Sequence, residues 1–212
     1  MFSAETSRFL TDLAATNTRD WFTASRDRYD AHVAGPAKAF CAGFEAAMSR
    51  RTDAPVTGKI WRLNRDLRFA RDKTPYNAHV HIGFAEPGSP MIWMVGLETD
   101  RLVIGYGAFA FDGATVDRFR VAVDGPAGTT LDGILNDLRA LGLRVDPPAL
   151  KRVPAPYTAD HPRAVLLRHK SLAVWNDGLP LQAAYGQDAP TRLASEMQVF
   201  DPLRAWVLDA LG

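Results

Sequence analysis

The chain has 212 residues, 47% of them hydrophobic and 23% charged. This is enough to build a core without disulfide or metal staples, and it excludes a disordered, collagen-like or membrane-spanning polypeptide. Its 25 lysines and arginines stand against 24 aspartates and glutamates, a formal charge of +1, so no global field draws it to nucleic acid or an anionic membrane, and any electrostatic function has to come from local clustering.

Residues 1–50 read as three helices. Phe9, Leu10 and Leu13 make one apolar face; Trp21, Phe22, Tyr29 and Val33 a second; and Phe40, Phe44, Ala47 and Met48 a third, begun by Pro36, where a missing N–H costs nothing. The lone cysteine, Cys41, falls inside the third pattern and reads as a buried, inert thiol. With no disulfide framework and no apolar leader in residues 1–10, the expected compartment is the cytoplasm.

A strand meander is expected over 58–110. In 79–84, Val80, Ile82 and Phe84 alternate with His79, His81 and Gly83, so one side of that strand is core and the other polar. The runs 91–97 and 102–109 are apolar at both parities, as central strands are. Short connections, including a Pro-Gly turn at Pro87 and Gly88, favour antiparallel pairing. Helices follow over 114–142, the clearer with Leu131, Ile134, Leu135, Leu138 and Leu141 on one face, Thr130 as its expected cap and Gly142 as its stop. After Pro147 and Pro148 come a basic segment, a short strand at 172–175 and a closing helix capped by Asp201, with Leu203, Trp206, Val207 and Ala210 inward. The expectation is a single α+β domain over 1–212, an antiparallel sheet of about four to six strands covered by N-terminal, middle and C-terminal helices.

Charge is concentrated in two places. Residues 58–81 hold Lys59, Arg62, Arg65, Arg68, Arg71 and Lys73 against Asp66 and Asp72, a local +4; residues 150–170 hold Lys151, Arg152, Arg163, Arg168 and Lys170 against Asp160, again +4. Guanidinium forks match the paired oxygens of carboxylates and phosphates, which makes an anion the natural guest. The competing reading is that Asp66, Asp72 and carboxylates from the helices already neutralise these arginines in ion pairs.

The stretch Arg-Leu-Asn-Arg-Asp-Leu-Arg-Phe-Ala-Arg-Asp-Lys-Thr-Pro-Tyr at 62–76 resembles the hallmark of a family of conserved hypothetical proteins, domain of unknown function 2461. The resemblance extends to Phe9, Leu10 and Leu13, to Asn17 with Trp21 and Phe22, to Gly105 and Gly107, to 150–154, and to Tyr157, Asp160, His161, Pro162 and Lys170, and so covers nearly the whole chain. It implies no activity, cofactor or catalytic residue, but it joins the two basic segments in one family pattern. Asn77, where the family often has a basic residue, and Ala70, where serine is common, depart from that pattern and argue against chemistry at those positions.

If the two segments meet, Arg62, Arg65, Arg68, Lys73, Lys151, Arg152 and Lys170 would bind the anion, with Tyr157 donating a hydroxyl hydrogen bond. Tyr76, His161 and Asp160 are the candidate acid–base groups. Both tyrosines lie next to prolines and have the alternative of simple packing. His79 and His81 fall on one strand face, where two imidazoles can share a metal if a third ligand arrives from Asp66, Asp72, Glu98 or His161; we read them instead as covering the strand's solvent side and assign no metal and no cofactor. Gly105-Tyr106-Gly107 followed by Ala110 is discounted as a dinucleotide fingerprint, because a turn rather than a helix is expected after it.

Three functions remain in view. The first is a pocket, with or without enzymatic activity, for a small phosphate- or carboxylate-bearing ligand. The second is an interaction module docking an acidic partner or a nucleic-acid backbone through the basic strip; Trp61 and Phe69, read as core residues, weigh against it. The third is an ion-pair lattice that only holds helices on the sheet. No membrane partner is expected.

Overall fold

Short runs, several of them rich in β-branched and aromatic residues, become strands here. They are β1 (Thr57–Ile60), β2 (Val80–Ala85), β3 (Ile92–Leu97), β4 (Leu102–Ala108), β5 (Arg144–Val145) and β6 (Leu172–Leu179). The computed structural model, which describes residues 1–212, joins them in one six-stranded antiparallel sheet, order β1-β2-β3-β4-β6-β5, in an α+β fold. β3 and β4 are interior in that order and buried at both parities. β6 is twice as long as the run read from sequence, because Asn176, Asp177 and Gly178 continue it despite their weak strand preference. No helix is long and apolar enough to cross a membrane.

The chain divides into two compact units. The first comprises Met1–Phe84, Met94–Ile104 and Gly178–Glu196. Here α1 (Ala4–Ala15) buries Phe9, Leu10 and Leu13, and α2 (Arg19–Ala24) is capped by the Thr18 hydroxyl, which accepts from the Trp21 N–H at 3.2 Å. α3 (Arg26–Tyr29) runs through a π turn, Asp30–Ala34, into α4 (Gly35–Thr52), with Pro36 in its first turn. Phe9, Phe22 and Tyr29 gather with ring centroids 5.1 to 6.4 Å apart. α4 buries Phe40, Phe44 and Met48 completely, and the Phe44 ring meets Phe84 of β2 at 4.4 Å; each such ring contributes about 1.5 to 3 kcal/mol by leaving water. Cys41 is buried on the same face, and burial together with the Glu45 charge pushes its thiol up to about 11, so it is no nucleophile. A later helix, α8 (Ala189–Glu196), packs on α4.

The second unit comprises Ala85–Trp93, Gly105–Asp177 and Met197–Gly212. Asp112 caps α5 (Gly113–Asp124), its carboxylate accepting from the Thr115 N–H at 2.7 Å. The next helix, α6 (Pro126–Ala140), begins well before Thr130, the cap expected from sequence. Pro126 opens it because the first turn needs no N–H there, and Gly142, with φ of +83°, stops it. A short helix, α7 (Ala164–Leu167), lies in the second basic segment. The closing helix, α9 (Asp201–Leu211), is entered from Phe200, so that Asp201 is its first residue rather than its cap. It buries Leu203, Trp206, Val207 and Leu211, and the Trp206 indole N–H donates to the Ala127 carbonyl at 2.8 Å. Glu86 is buried, its two carboxylate oxygens held by Arg204 at 2.8 and 2.7 Å. β4 and β6 approach so closely that a side chain at Gly107 would overlap the Ala173 Cα and the Leu172 carbonyl oxygen.

One contact in the first unit ties the hallmark stretch 62–76 to the helices. The stretch forms a hairpin closed by an antiparallel bridge between Asn64 and Tyr76, with Arg65 N–H to Pro75 O at 2.9 Å and Asn77 N–H to Leu63 O at 2.7 Å. At its base the Asn17 side-chain amide donates to the Tyr76 carbonyl at 2.8 Å and its oxygen accepts from the Tyr76 N–H at 3.1 Å, while the Tyr76 ring stacks on Phe22 at 4.2 Å. Asn17→Ala should cost about 1 to 3 kcal/mol by leaving both backbone groups unpaired. Asn17→Asp keeps the acceptor and loses the donor, so it should cost less. Urea unfolding of the three proteins checks the order, and equal stability of wild type and Asn17→Ala would refute the clamp.

Candidate functional site

The hairpin spends most of its charge on itself. Arg68 grips Asp66 through three fork contacts of 2.6 to 3.1 Å, which holds the Asp66 carboxyl below its ordinary value and raises the guanidinium above its own. Arg65 donates to Asp72 at 2.5 Å, to the Thr74 carbonyl at 3.1 Å and to the Thr74 hydroxyl. Asp72 also accepts from the Thr74 N–H at 2.9 Å, and these donors, the backbone one foremost, lower its carboxyl to about 2. Lys73 donates to the Leu67 carbonyl at 2.9 Å. Arg62 and Arg71 stay exposed, and between them Phe69 is 96% exposed. Phe69 is therefore not the core residue read from sequence: the bridge at Asn64 and Tyr76 makes 65–75 an excursion into solvent, and its tip has no core to reach.

The second basic segment, in the second unit, divides its charge differently. The Arg163 fork is consumed at the C-terminal end of α5, donating to Val123 O at 2.6 Å, Asp124 O at 2.8 Å and Gly125 O at 3.3 Å, where a cation complements the helix dipole, and also to the Thr129 hydroxyl of α6 at 3.0 Å. His161 Nε2 lies 3.1 Å from Asp124 Oδ1, and its ring stands edge-on to Tyr157 at 6.3 Å. Asp160 is bound by the Thr158 hydroxyl, which lowers its carboxyl below the ordinary value. The exposed Lys170 contributes a carbonyl that accepts from the Phe111 N–H at 2.9 Å. Lys151, Arg152 and Arg168, with Val153, Ala159 and Ala164, line a cleft of about 500 Å³ that no acidic residue enters. Arg168 Nε is buried there without a hydrogen-bond partner.

A third cluster lies on the polar side of β2, in the first unit. His79 and His81, two residues apart, stack their rings at 3.7 Å and 15°. Glu98, just past β3, completes it: one carboxylate oxygen is 2.6 Å from His81 Nε2 and the other 3.6 Å from His79 Nδ1. The Trp61 ring meets His81 edge-on at 5.9 Å. Burial and the neighbouring His81 lower the His79 imidazole below its ordinary value against the pull of Glu98, and the His81 hydrogen bond lowers the Glu98 carboxyl. Opposite, at Gly96, a Cβ would stand 3.0 Å from His81 Cδ2 and 3.1 Å from Nε2, so the absent side chain is what lets the ring turn to Glu98.

The model of a family described as conserved hypothetical protein, DUF2461, matches residues 5–206. The chain belongs to that family. A search of curated proteins found no match to it.

In this family member Glu98, among four third-ligand candidates, is the one beside the histidines, because β2 and β3 are sheet neighbours. Arg168 is visible in the charge count but not as a cleft residue, since nothing in the sequence separates a guanidinium spent on helix-end carbonyls, such as that of Arg163, from one with an unpartnered nitrogen. Asn17 stood in the family pattern, yet its partner lies 59 residues away.

The hairpin gives a pH prediction. A carboxyl with a depressed folded value contributes order above its ordinary value and loses it as pH falls through the folded one. The Thr74 amide resonance should therefore hold steady through the ordinary carboxyl range and inflect near 2, an inflection that Asp72→Asn removes. A midpoint at the ordinary value near 4 would refute the Arg65, Asp72 and Thr74 lock.

Proposed function

We propose that this protein binds a small phosphate- or carboxylate-bearing molecule in the cleft lined by Lys151, Arg152 and Arg168. The observation that carries the reading is a concave space of about 500 Å³ with three cationic side chains and no acid on its wall, a volume in the range of small-molecule sites. The unpartnered Arg168 Nε supports it, since a buried donor without an acceptor is costly unless a ligand supplies one. Tyr157, Asp160 and His161 belong to the same segment, and we assign the acid–base chemistry, if the ligand is a substrate, to His161 with Asp124 as its partner. Calorimetric titration with pyrophosphate, citrate and a sugar phosphate tests the reading. Binding by the wild type should weaken with salt and fall about tenfold or more in Lys151→Ala/Arg152→Ala, whose altered side chains are exposed. Absence of binding, or equal binding by the variant, would exclude the cleft.

A second reading, the interaction module, is supported by the exposed Phe69, two residues from the exposed Arg71 in a stretch that also holds the exposed Arg62. An aromatic side chain in water in a basic stretch is a stacking platform for a base or an anchor for an acidic peptide. Polarisation of a labelled single-stranded oligonucleotide and of a glutamate-rich peptide, at low and high salt, discriminates. Salt-sensitive binding lost in Phe69→Ser/Arg71→Ala favours this reading, and no binding of either probe eliminates it.

A further inference from the structure

We infer that His79, His81 and Glu98 form a binding site for a divalent first-row transition-metal ion of the zinc or ferrous type, with coordination positions left open to solvent. His79 Nδ1, His81 Nε2 and a Glu98 carboxylate oxygen all lie within 4.8 Å of one another. An ion about 2.1 Å from each ligand sets neighbouring donors roughly 3.0 to 3.4 Å apart. The observed His81–Glu98 and His79–Glu98 separations, 2.6 and 3.6 Å, fall on either side of that range, so small side-chain rotations suffice.

The donor set selects the ion. Two imidazoles and one carboxylate are borderline ligands; magnesium and calcium call for oxygen-only cages, and a cuprous ion calls for sulfur, whereas zinc and ferrous iron accept this mixture. Three protein ligands fall short of the four of a closed structural site. The side chains are 29%, 30% and 26% exposed for His79, His81 and Glu98, so water or a substrate atom reaches the remaining positions.

Two features set the cluster apart from polar residues scattered along a strand. Parallel imidazoles 3.7 Å apart repel one another when both are protonated, and a shared cation outside their edges uses the lone pairs of both instead. Gly96, in a strand where glycine costs packing and chain entropy, leaves open the space into which His81 turns towards Glu98. Binding replaces the His81–Glu98 hydrogen bond by bonds from both groups to the metal, the neutral His81 imidazole carrying its one proton on Nδ1.

The experiment uses the untagged full-length chain, stripped with a chelator and titrated with Co²⁺ by visible absorption, with Zn²⁺ in competition and Mg²⁺ as control. One Co²⁺ per chain with ligand-field bands, displaced by Zn²⁺ and indifferent to Mg²⁺, is expected. Glu98→Gln and His79→Asn/His81→Asn should each weaken binding about 100-fold or more, and Gly96→Ala, which crowds His81 without removing a ligand, about tenfold. Circular dichroism identifies variants that do not fold, and Gly96→Ala carries the test if the ligand variants are among them. No stoichiometric binding to the wild type, or binding unchanged in every folded variant, would overturn the site. Both outcomes are independent of whether the Lys151 and Arg152 cleft takes an anion.

Discussion

A single carboxamide, that of Asn17, does in the first unit what a neighbouring strand does in a sheet: it donates to one backbone carbonyl and accepts from the N–H of the same residue, Tyr76. A buried or half-buried peptide group needs both partners, and at this point no strand supplies them. Everything just downstream inherits the position so fixed. Tyr76 closes the hairpin against Asn64, Asn77 continues the pairing with Leu63, and the chain enters β2 with His79 and His81 already on its polar side. The Phe22 ring under Tyr76 adds an apolar stop against slippage, since a one-residue shift in register would turn the histidines inward.

The two basic segments look alike as compositions and differ as chemistry. In 62–76 the acids sit within a few residues of the arginines, so Arg65 and Arg68 find partners locally; exposed pairs of this kind contribute little to stability, yet they use up the donors a ligand would need. In 150–170 the only acid, Asp160, is taken by Thr158, and Arg163 is drawn to helix-end carbonyls. Lys151, Arg152 and Arg168 are left facing a cleft without counter-charge. What decides ligand capacity is therefore the position of the nearest acceptor and not the number of cations.

Much of the architecture was legible because it rests on periodicity. The alternation of Val80, Ile82 and Phe84 with His79 and His81, the two-sided burial of β3 and β4, and the glycine stop at 142 are local patterns with local causes. Thr130 has the chemistry of a cap, but Gly125 and Pro126 begin α6 earlier. Phe69 reads as core because aromatic residues are usually buried, whereas the hairpin carries it outward. For the candidate sites, residue types were readable and partnerships were not: Glu98 is 17 residues from His81 and Asp124 is 37 from His161, distances along the chain that only the pairing of strands and the packing of helices resolve.

The sealed thiol of Cys41 has a practical side. It is the chain's only cysteine, it is buried, and its proton is held up to about 11, so maleimides and other thiol reagents at neutral pH will pass it by. A cysteine introduced at the exposed tip position 69 would then be the sole point of attachment for a spin label or fluorophore, with the native residue left in place to fill its niche beside Glu45 and Gly58.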